Sequence, residues 1–120
     1  MKSSDLSFVL GVALTVTSAI MATTEGTLAG HYSLAGATAI DPPPDEPRDT
    51  HLQLFITGGA AQELYRVMPG TATPDECLGN GSMTKFHGGT ACTMHQGGKE
   101  FECALGIDIK EQRVVQAYAC

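Results

Sequence analysis

The sequence predicts an α+β fold in which a small antiparallel sheet packs against one helix and is stapled by disulfides. Several segments after residue 50 alternate apolar and polar residues with the period of a half-buried strand. One stretch, from Ala60 to Met68, instead places its apolar residues at helical spacing. Four cysteines occur in a chain of 120 residues. A chain of this length forms only a modest hydrophobic core, so covalent cross-links would add useful stability.

The clearest strand is predicted at "FECALGIDI", where the apolar set lies on one face and the other face is largely polar. Further strands are expected at 27–36, 51–56, 83–86, 90–95 and 113–120. The last four strands should form a C-terminal meander over residues 83–119. The predicted core consists of Leu54, Ile56, Leu64, Met68, Phe101, Leu105, Ile107 and Tyr118.

The predicted helix has one apolar face and clear signals at both ends. Thr57 or Gly59 is expected to cap its start, and Pro69 with Gly70 ends it. Glu63 is assigned to the first turn and Arg66 to the end of the helix, where each charge complements the helix dipole. Its apolar face is formed by Ala60, Ala61, Leu64, Tyr65 and Met68.

Three regions are predicted along the chain. Residues 1–22 have the apolar run and the small residue Ala22 that are typical of a cleaved secretory signal peptide, with a retained N-terminal anchor as the alternative. Residues 23–50 contain a first strand and a proline-rich acidic linker, and residues 51–120 form the α+β core domain. We therefore expect a periplasmic or secreted protein with no stable membrane insertion after cleavage.

The cysteines of a small exported chain are predicted to form two disulfides. A turn centred on Gly97 and Gly98 places Cys92 opposite Cys103 and favours Cys92–Cys103 with Cys77–Cys120. If "KEQR" is entirely loop, Cys103 instead faces Cys120. That register gives the alternative pairing of Cys77–Cys92 with Cys103–Cys120.

A metal site is the main alternative to a disulfide-pinned hairpin. His87, Met94 and His95 have the donor atoms that copper or zinc sites use. Met94 and His95 are adjacent on a predicted strand, however, so their side chains point to opposite faces. The favoured interpretation therefore assigns no metal and no cofactor.

Charge and motif content exclude several function classes. The net charge is −6, and the basic residues are scattered, which argues against a nucleic-acid or anionic-membrane surface. The chain has no G-x-S-x-G elbow and no Cys-x-x-Cys pair. We therefore assign no catalytic residues and predict that the protein is not an enzyme.

The proline-rich linker is the strongest candidate for contact with a partner. Its consecutive prolines stiffen an extended path, so ordering it on binding costs little entropy. It carries four carboxylates against the single cation Arg48, and a solvated spacer is the competing interpretation. The candidate partner-binding residues are Asp41, Asp45, Glu46 and Asp49.

The pattern "ITGGAAQELYRVM…DEC…K…GG…C…FECALGID" resembles a group of uncharacterised small exported bacterial proteins, periplasmic or lipid-anchored. The resemblance spans Ile56 to Asp108. It implies export and a strand, helix and cysteine-bearing meander, and it carries no activity. The chain differs from the lipid-anchored members because it has no cysteine at the predicted export junction.

These observations together predict an exported, non-enzymatic binding protein. An inhibitor or immunity-type partner of another exported protein is the most concrete form, and the acidic chain favours a basic partner. A periplasmic copper- or zinc-handling protein is the alternative, and a small hydrolase ranks last. Asn80 lies in an N-x-S sequon, which matters only in a host that glycosylates exported proteins.

Overall fold

The structure, a computed structural model, describes residues 11–14, 23–38 and 41–117. Within this part of the chain one helix accompanies a seven-stranded sheet whose paired strands are all antiparallel. The predicted α+β class is confirmed. The predicted signal peptide falls almost wholly outside the described residues. The elements are β1 (Ala29–Ala35), β2 (His51–Thr57), α1 (Gly58–Val67), β3 (Thr73–Pro74), β4 (Met83–His87), β5 (Thr90–Met94), β6 (Phe101–Asp108) and β7 (Arg113–Val115).

The order of the strands is β1-β2-β6-β5-β4-β3, so β2 lies between the first strand and the C-terminal strands. β1 is therefore part of the same sheet as the region predicted to be the core domain. The meander is confirmed for β4, β5 and β6 only. β7 does not add a new outer strand, because it pairs with Gly106 to Asp108 on β6 beyond the point where β5 stops at Leu105.

The registers of the β5–β6 and β6–β7 hairpins distinguish the two alternative disulfide pairings. In the β5–β6 pair Cys92 lies opposite Cys103, and the two residues form a disulfide, as predicted from the Gly97-Gly98 turn. The next hairpin pairs Asp108 with Arg113, whereas the alternative register would pair Asp108 with Val115. Cys77 is also disulfide-bonded, and its predicted partner Cys120 lies outside the described residues.

The helix begins at Gly58, earlier than its apolar spacing indicates, with Thr57 as the N-cap residue. Glu63 consequently lies beyond the first turn, so the prediction that its charge supports the helix start is wrong. Arg66 is in the last turn, as expected. The helix end is also held by the ammonium group of Lys85, which donates to the carbonyl oxygens of Tyr65 at 2.9 Å and Met68 at 3.4 Å.

The core lies between α1 and the nearer half of the sheet. Ala61 and the two bonded cysteines are fully buried. Of the predicted core residues Met68 and Phe101 are buried, and Ile56 and Leu64 pack against them. Leu54, Leu105 and Ile107 are only half-buried. Tyr118 lies outside the described residues.

Candidate binding surface

The helix covers only part of the sheet face on which it packs. That face is built from alternate residues of adjacent strands, and Ile56, Cys103 and Cys92 follow one another across β2, β6 and β5 beneath Ala61. The helix starts next to Thr57 on β2 and its last carbonyl groups contact Lys85 on β4, so it crosses the strands. A helix with its side chains is about 10 to 12 Å wide, whereas the eight residues of β6 extend for about 26 Å. The remaining part of the face therefore lies to one side of the helix.

The part that no described helix covers, which we term the open half-face, consists of six large apolar side chains in two adjoining rows. One row follows the register Tyr32, Leu54, Leu105 and the other Leu34, Leu52, Ile107. Tyr32 is 70% and Leu34 47% exposed, and the four residues on β2 and β6 are half-buried. Contiguous exposed apolar patches on a small protein are typical of binding surfaces.

The outer edge of β1 has free backbone groups. Ile109 N–H donates to Thr50 C=O, so the even-numbered residues of β2 bond to β6 and the odd-numbered ones face β1. It follows from the β1–β2 register that Gly30, Tyr32 and Leu34 direct their N–H and C=O groups away from the sheet. In the described part of the chain no strand lies beyond β1.

The acidic linker is a folded loop that leaves the sheet at the Leu34 end of the open half-face. Glu46 N–H donates to Pro43 C=O at 3.1 Å and closes a turn. The Glu46 carboxylate accepts hydrogen bonds from Thr38 N–H at 3.2 Å and from Thr38 Oγ1 at 2.8 Å. Gly36 passes so close to Pro47 that an added Cβ would lie 2.5 Å from the Pro47 carbonyl oxygen.

The four predicted partner-binding residues thus have different roles. Glu46 is half-buried and occupied within the loop, so it holds the loop shape and is a poor contact residue. Asp41, Asp45 and Asp49 are exposed. Asp49 Oδ1 also accepts a hydrogen bond from Thr50 Oγ1 at 3.3 Å. These three carboxylates belong to the loop that joins β1 to β2 after Leu34 and before Leu52.

The three residues of the alternative metal site are not brought together. Met94 packs against the core beneath the helix, opposite Phe101. His87 lies opposite Thr90, which precedes Met94 on β5 by four residues, or about 13 Å. His95 N–H closes the β5–β6 turn by donating to Glu100 C=O at 2.8 Å. Among the described residues no group of three or more potential His, Cys, Asp or Glu ligands could hold a metal ion.

A polar cluster that the sequence analysis missed lies on the other sheet face. Thr84 is 1% exposed, and its hydroxyl contacts both Asp75 Oδ2 at 2.6 Å and Thr93 Oγ1 at 2.8 Å. Asp75 Oδ1 accepts the Leu78 N–H at 3.0 Å. The Thr84 hydroxyl, followed by the Leu78 N–H, lowers the pKa of Asp75 below its usual value of 3.8, because both donors favour the carboxylate. Both carboxylate oxygens are occupied, so the cluster organises the loop before β4.

A second cluster joins the two ends of the β1–β2 connection, Gly36 and His51, to the end of β6. Asp108 Oδ1 accepts the N–H groups of Glu111 at 2.9 Å and Lys110 at 3.1 Å, which shapes the β6–β7 turn. The Glu111 N–H, the strongest influence, lowers the pKa of the Asp108 carboxyl. His51 Nδ1 donates to Gly36 C=O at 3.1 Å, and His51 Nε2 lies 3.8 Å from Asp108 Oδ2.

This arrangement resembles part of a catalytic dyad but lacks its chemistry. Both ring nitrogens of His51 face groups of the fold, so neither is directed at a substrate. The nearby Ser33 hydroxyl donates to Gln53 Oε1 at 3.0 Å and is not hydrogen-bonded to the imidazole. His51 begins β2 and Asp108 ends β6, and the two residues lie opposite each other in the β2–β6 pair. This pairing could be predicted from the sequence only if the register of the two strands were known.

The predicted sequon is ordered by its own side chains. Asn80 is exposed, and its Oδ1 accepts hydrogen bonds from Ser82 Oγ at 2.6 Å and from Ser82 N–H at 3.1 Å. Ser82 is fully buried. The loop thus presents Asn80 to solvent while Ser82 anchors the turn.

No described helix has the length and apolar character needed to cross a membrane. Comparison of the chain with protein-family models, with curated proteins and with solved structures gives no match.

Proposed function

We propose that this chain is an exported, non-enzymatic binding protein of inhibitor or immunity type whose partner is a basic exported protein. The observation that carries the proposal is the open half-face bordered by the acidic loop. The Cys92–Cys103 disulfide supports the exported location, since such bonds persist in oxidising compartments. A periplasmic or secreted location is part of the proposal.

The apolar part of the surface supplies hydrophobic contact area for a complex. Tyr32 and Leu34 stand at its outer side, with half-buried neighbours on β2 and β6 behind them. Covering this surface removes apolar area from water at about 25 cal/mol per Å². Aromatic residues such as Tyr32 are frequent at the energetic centres of interfaces, because they combine a large apolar ring with a polar group.

The acidic part of the surface favours a basic partner. Asp41, Asp45 and Asp49 carry exposed carboxylates on the loop that follows the Leu34 end of β1, and the whole chain carries a net charge of −6. Long-range attraction speeds the encounter with a cationic protein, and the effect weakens as salt screens the charges. A basic cell-wall hydrolase is the kind of target that this surface fits.

The proposal is tested with matched baits and proteins exported by the native host. The first bait is the native chain, and the second neutralises the loop with Asp41→Asn, Asp45→Asn and Asp49→Asn. The control bait removes the same charge elsewhere through Glu25→Gln, Glu63→Gln and Glu76→Gln. A partner is accepted when the native and control baits retain it and the loop variant does not, and it is then purified for kinetic measurements.

We expect the loop variant to associate with the purified partner about tenfold more slowly at low salt, with a flatter salt dependence. Ile107→Thr, which keeps a branched side chain but makes the β6 end of one row of the open half-face polar, should mainly speed dissociation. A partner whose kinetics are the same with all of these variants would contradict the proposed surface. Glu46 is left unchanged because its loss would also disturb the loop.

A further inference from the structure

The edge strand β1 leads to an inference that does not depend on the proposed function. We infer that β1 pairs antiparallel with β1 of a second copy of this chain, about a two-fold axis at Tyr32, and so joins two sheets into one. A two-fold interface uses the same surface on both copies, so that surface must be complementary to itself. Four properties of β1 meet this requirement.

The first property is the set of free backbone groups. Gly30, Tyr32 and Leu34 direct their N–H and C=O groups outward, as the β1–β2 register and the Thr50–Ile109 bond show. A row of unpaired groups on an edge strand is a template for another strand. In the described part of the chain these outward groups have no hydrogen-bond partner, so they are available to a second strand.

The second property is the position of these groups within the strand. β1 extends from Ala29 to Ala35, and Tyr32 is its central residue. Antiparallel pairing about Tyr32 therefore uses the full length of both strands. It places outward-facing residues opposite each other, with Tyr32 facing its own copy and Gly30 facing Leu34, so all three can form hydrogen-bonded pairs.

The third property is side-chain complementarity across the same seam. The exposed Leu34 of one copy meets Gly30 of the other, where there is no side chain to oppose it. Glycine is required at Gly30, since an added Cβ would lie 2.0 Å from the Phe55 carbonyl oxygen. The two Tyr32 rings form a cross-strand aromatic pair, which is among the more stabilising pairs in antiparallel sheets.

The fourth property is the absence of features that block edge-to-edge pairing. β1 contains no Asp, Glu, Lys, Arg or Pro, although the chain has a net charge of −6. Proteins commonly protect an edge by charge, proline or shortness. The opposite edge of this sheet is protected in that way, because β3 has two residues and one is Pro74. The unprotected edge is therefore the one available for a second copy.

The size of the seam sets the expected affinity. Seven paired residues extend for about 24 Å, so the strands alone bury less than the roughly 1,200 Å² that marks the lower limit of standard interfaces. We expect a reversible dimer with a dissociation constant on the order of 10 µM. Dimerisation brings the two open half-faces together at Tyr32 and Leu34 and makes one larger apolar surface.

Analytical ultracentrifugation of the protein purified from its native host, over about 1 to 500 µM, tests the inference. The native chain should change from monomer to dimer as its concentration rises. Tyr32→Lys should weaken the dimer at least about tenfold, because it places like charges opposite each other at the axis. Gln62→Lys, which adds the same charge on the exposed side of the helix, should dimerise like the native chain.

A cross-linking experiment tests the register and does not depend on affinity. In a hydrogen-bonded pair at the axis the two Cα atoms are about 5.5 Å apart, which suits a disulfide. Tyr32→Cys should therefore form covalent dimers on mild oxidation. Leu28→Cys should not, because the two copies of that position would lie about 26 Å apart along the seam. Circular dichroism and mapping of the Cys92–Cys103 bond establish that each variant is folded.

The inference is overturned if the native chain stays monomeric throughout the concentration range. It is equally overturned if folded Tyr32→Lys dimerises with native affinity, or if Leu28→Cys cross-links as readily as Tyr32→Cys. None of these outcomes bears on the loop variants that test partner binding, so the two proposals can fail separately.

Discussion

Removing the Cys92–Cys103 disulfide is expected to destabilise the fold strongly. The change is Cys92→Ala with Cys103→Ala, which leaves the bond of Cys77 in place. The disulfide joins residues separated by 11 positions. Closing a loop of this size lowers the conformational entropy of the unfolded chain and so stabilises the folded state by about 3 kcal/mol at 25 °C, according to the chain-entropy relation.

Packing adds to this loss. Both cysteines are 0% exposed, and Cys103 Sγ lies 3.5 Å from the Ala61 carbonyl oxygen beneath the helix. Each Cys→Ala change removes one buried heavy atom, which costs roughly 1 kcal/mol at a well-packed site. We therefore expect a total loss of about 3 to 5 kcal/mol in the free energy of unfolding.

Equilibrium unfolding in urea, followed by circular dichroism, measures both parts of the effect. Loss of the cross-link exposes more surface in the unfolded state, so the dependence of the free energy on urea should become steeper. Loss of packing alone would leave that slope unchanged. A total loss below about 1 kcal/mol would refute the chain-entropy argument for this hairpin.

Two further predictions compare neighbouring positions. Gly59→Ala should raise the free energy of unfolding by about 0.5 to 1 kcal/mol, because a Cβ there meets no atom and alanine favours the helix. Gly58→Ala should lower the free energy of unfolding, because φ at that position is +69°, which alanine adopts only with strain. Thermal denaturation of both variants decides the matter, and equal shifts would contradict the assigned helix start. Thr84→Val should cost about 1 to 3 kcal/mol at pH 7 by removing the Asp75 hydrogen bond, and Thr93→Val, which leaves that bond intact, should cost less. Because the folded pKa of Asp75 is lowered, its contribution is present above the unfolded value of 3.8 and is lost as the pH falls through the folded value. The difference between Thr84→Val and the native chain should therefore shrink in acid, and a pH-independent difference in urea unfolding would count against this account.

Local patterns in the sequence were sufficient for the helix, for most of the strands and for one disulfide, although the short strand β3 was not predicted. The alternation in "FECALGIDI" identified β6, and the glycine pair at 97–98 determined the register that joins Cys92 to Cys103. Both signals act over a few residues, where side-chain period and turn geometry are direct consequences of the local sequence. The apolar face of α1 was predictable for the same reason.

The same patterns misplaced features that depend on neighbouring elements. Glu63 was assigned to the first turn because the apolar spacing begins at Ala60, whereas the helix begins at Gly58 immediately after β2. The final strand was expected over 113–120 as part of a meander, but β7 ends at Val115. It pairs with the same edge of β6 as β5 does, at the residues that follow the last one paired with β5. Strand lengths and partners are set by which edges remain free, and that depends on the whole sheet.

The sequence by itself determined the α+β class, the helix face and the β5–β6 hairpin, since each follows from local periodicity or a short turn. Only the tertiary structure decided that β2 separates β1 from the C-terminal strands and that Leu54, Leu105 and Ile107 are half-buried. Apolar residues alternate with polar ones along a strand whether or not another element covers their face of the sheet. Coverage depends on the placement of the one described helix, which crosses the strands at one end of the sheet, and the part of the face beside it became the candidate binding surface.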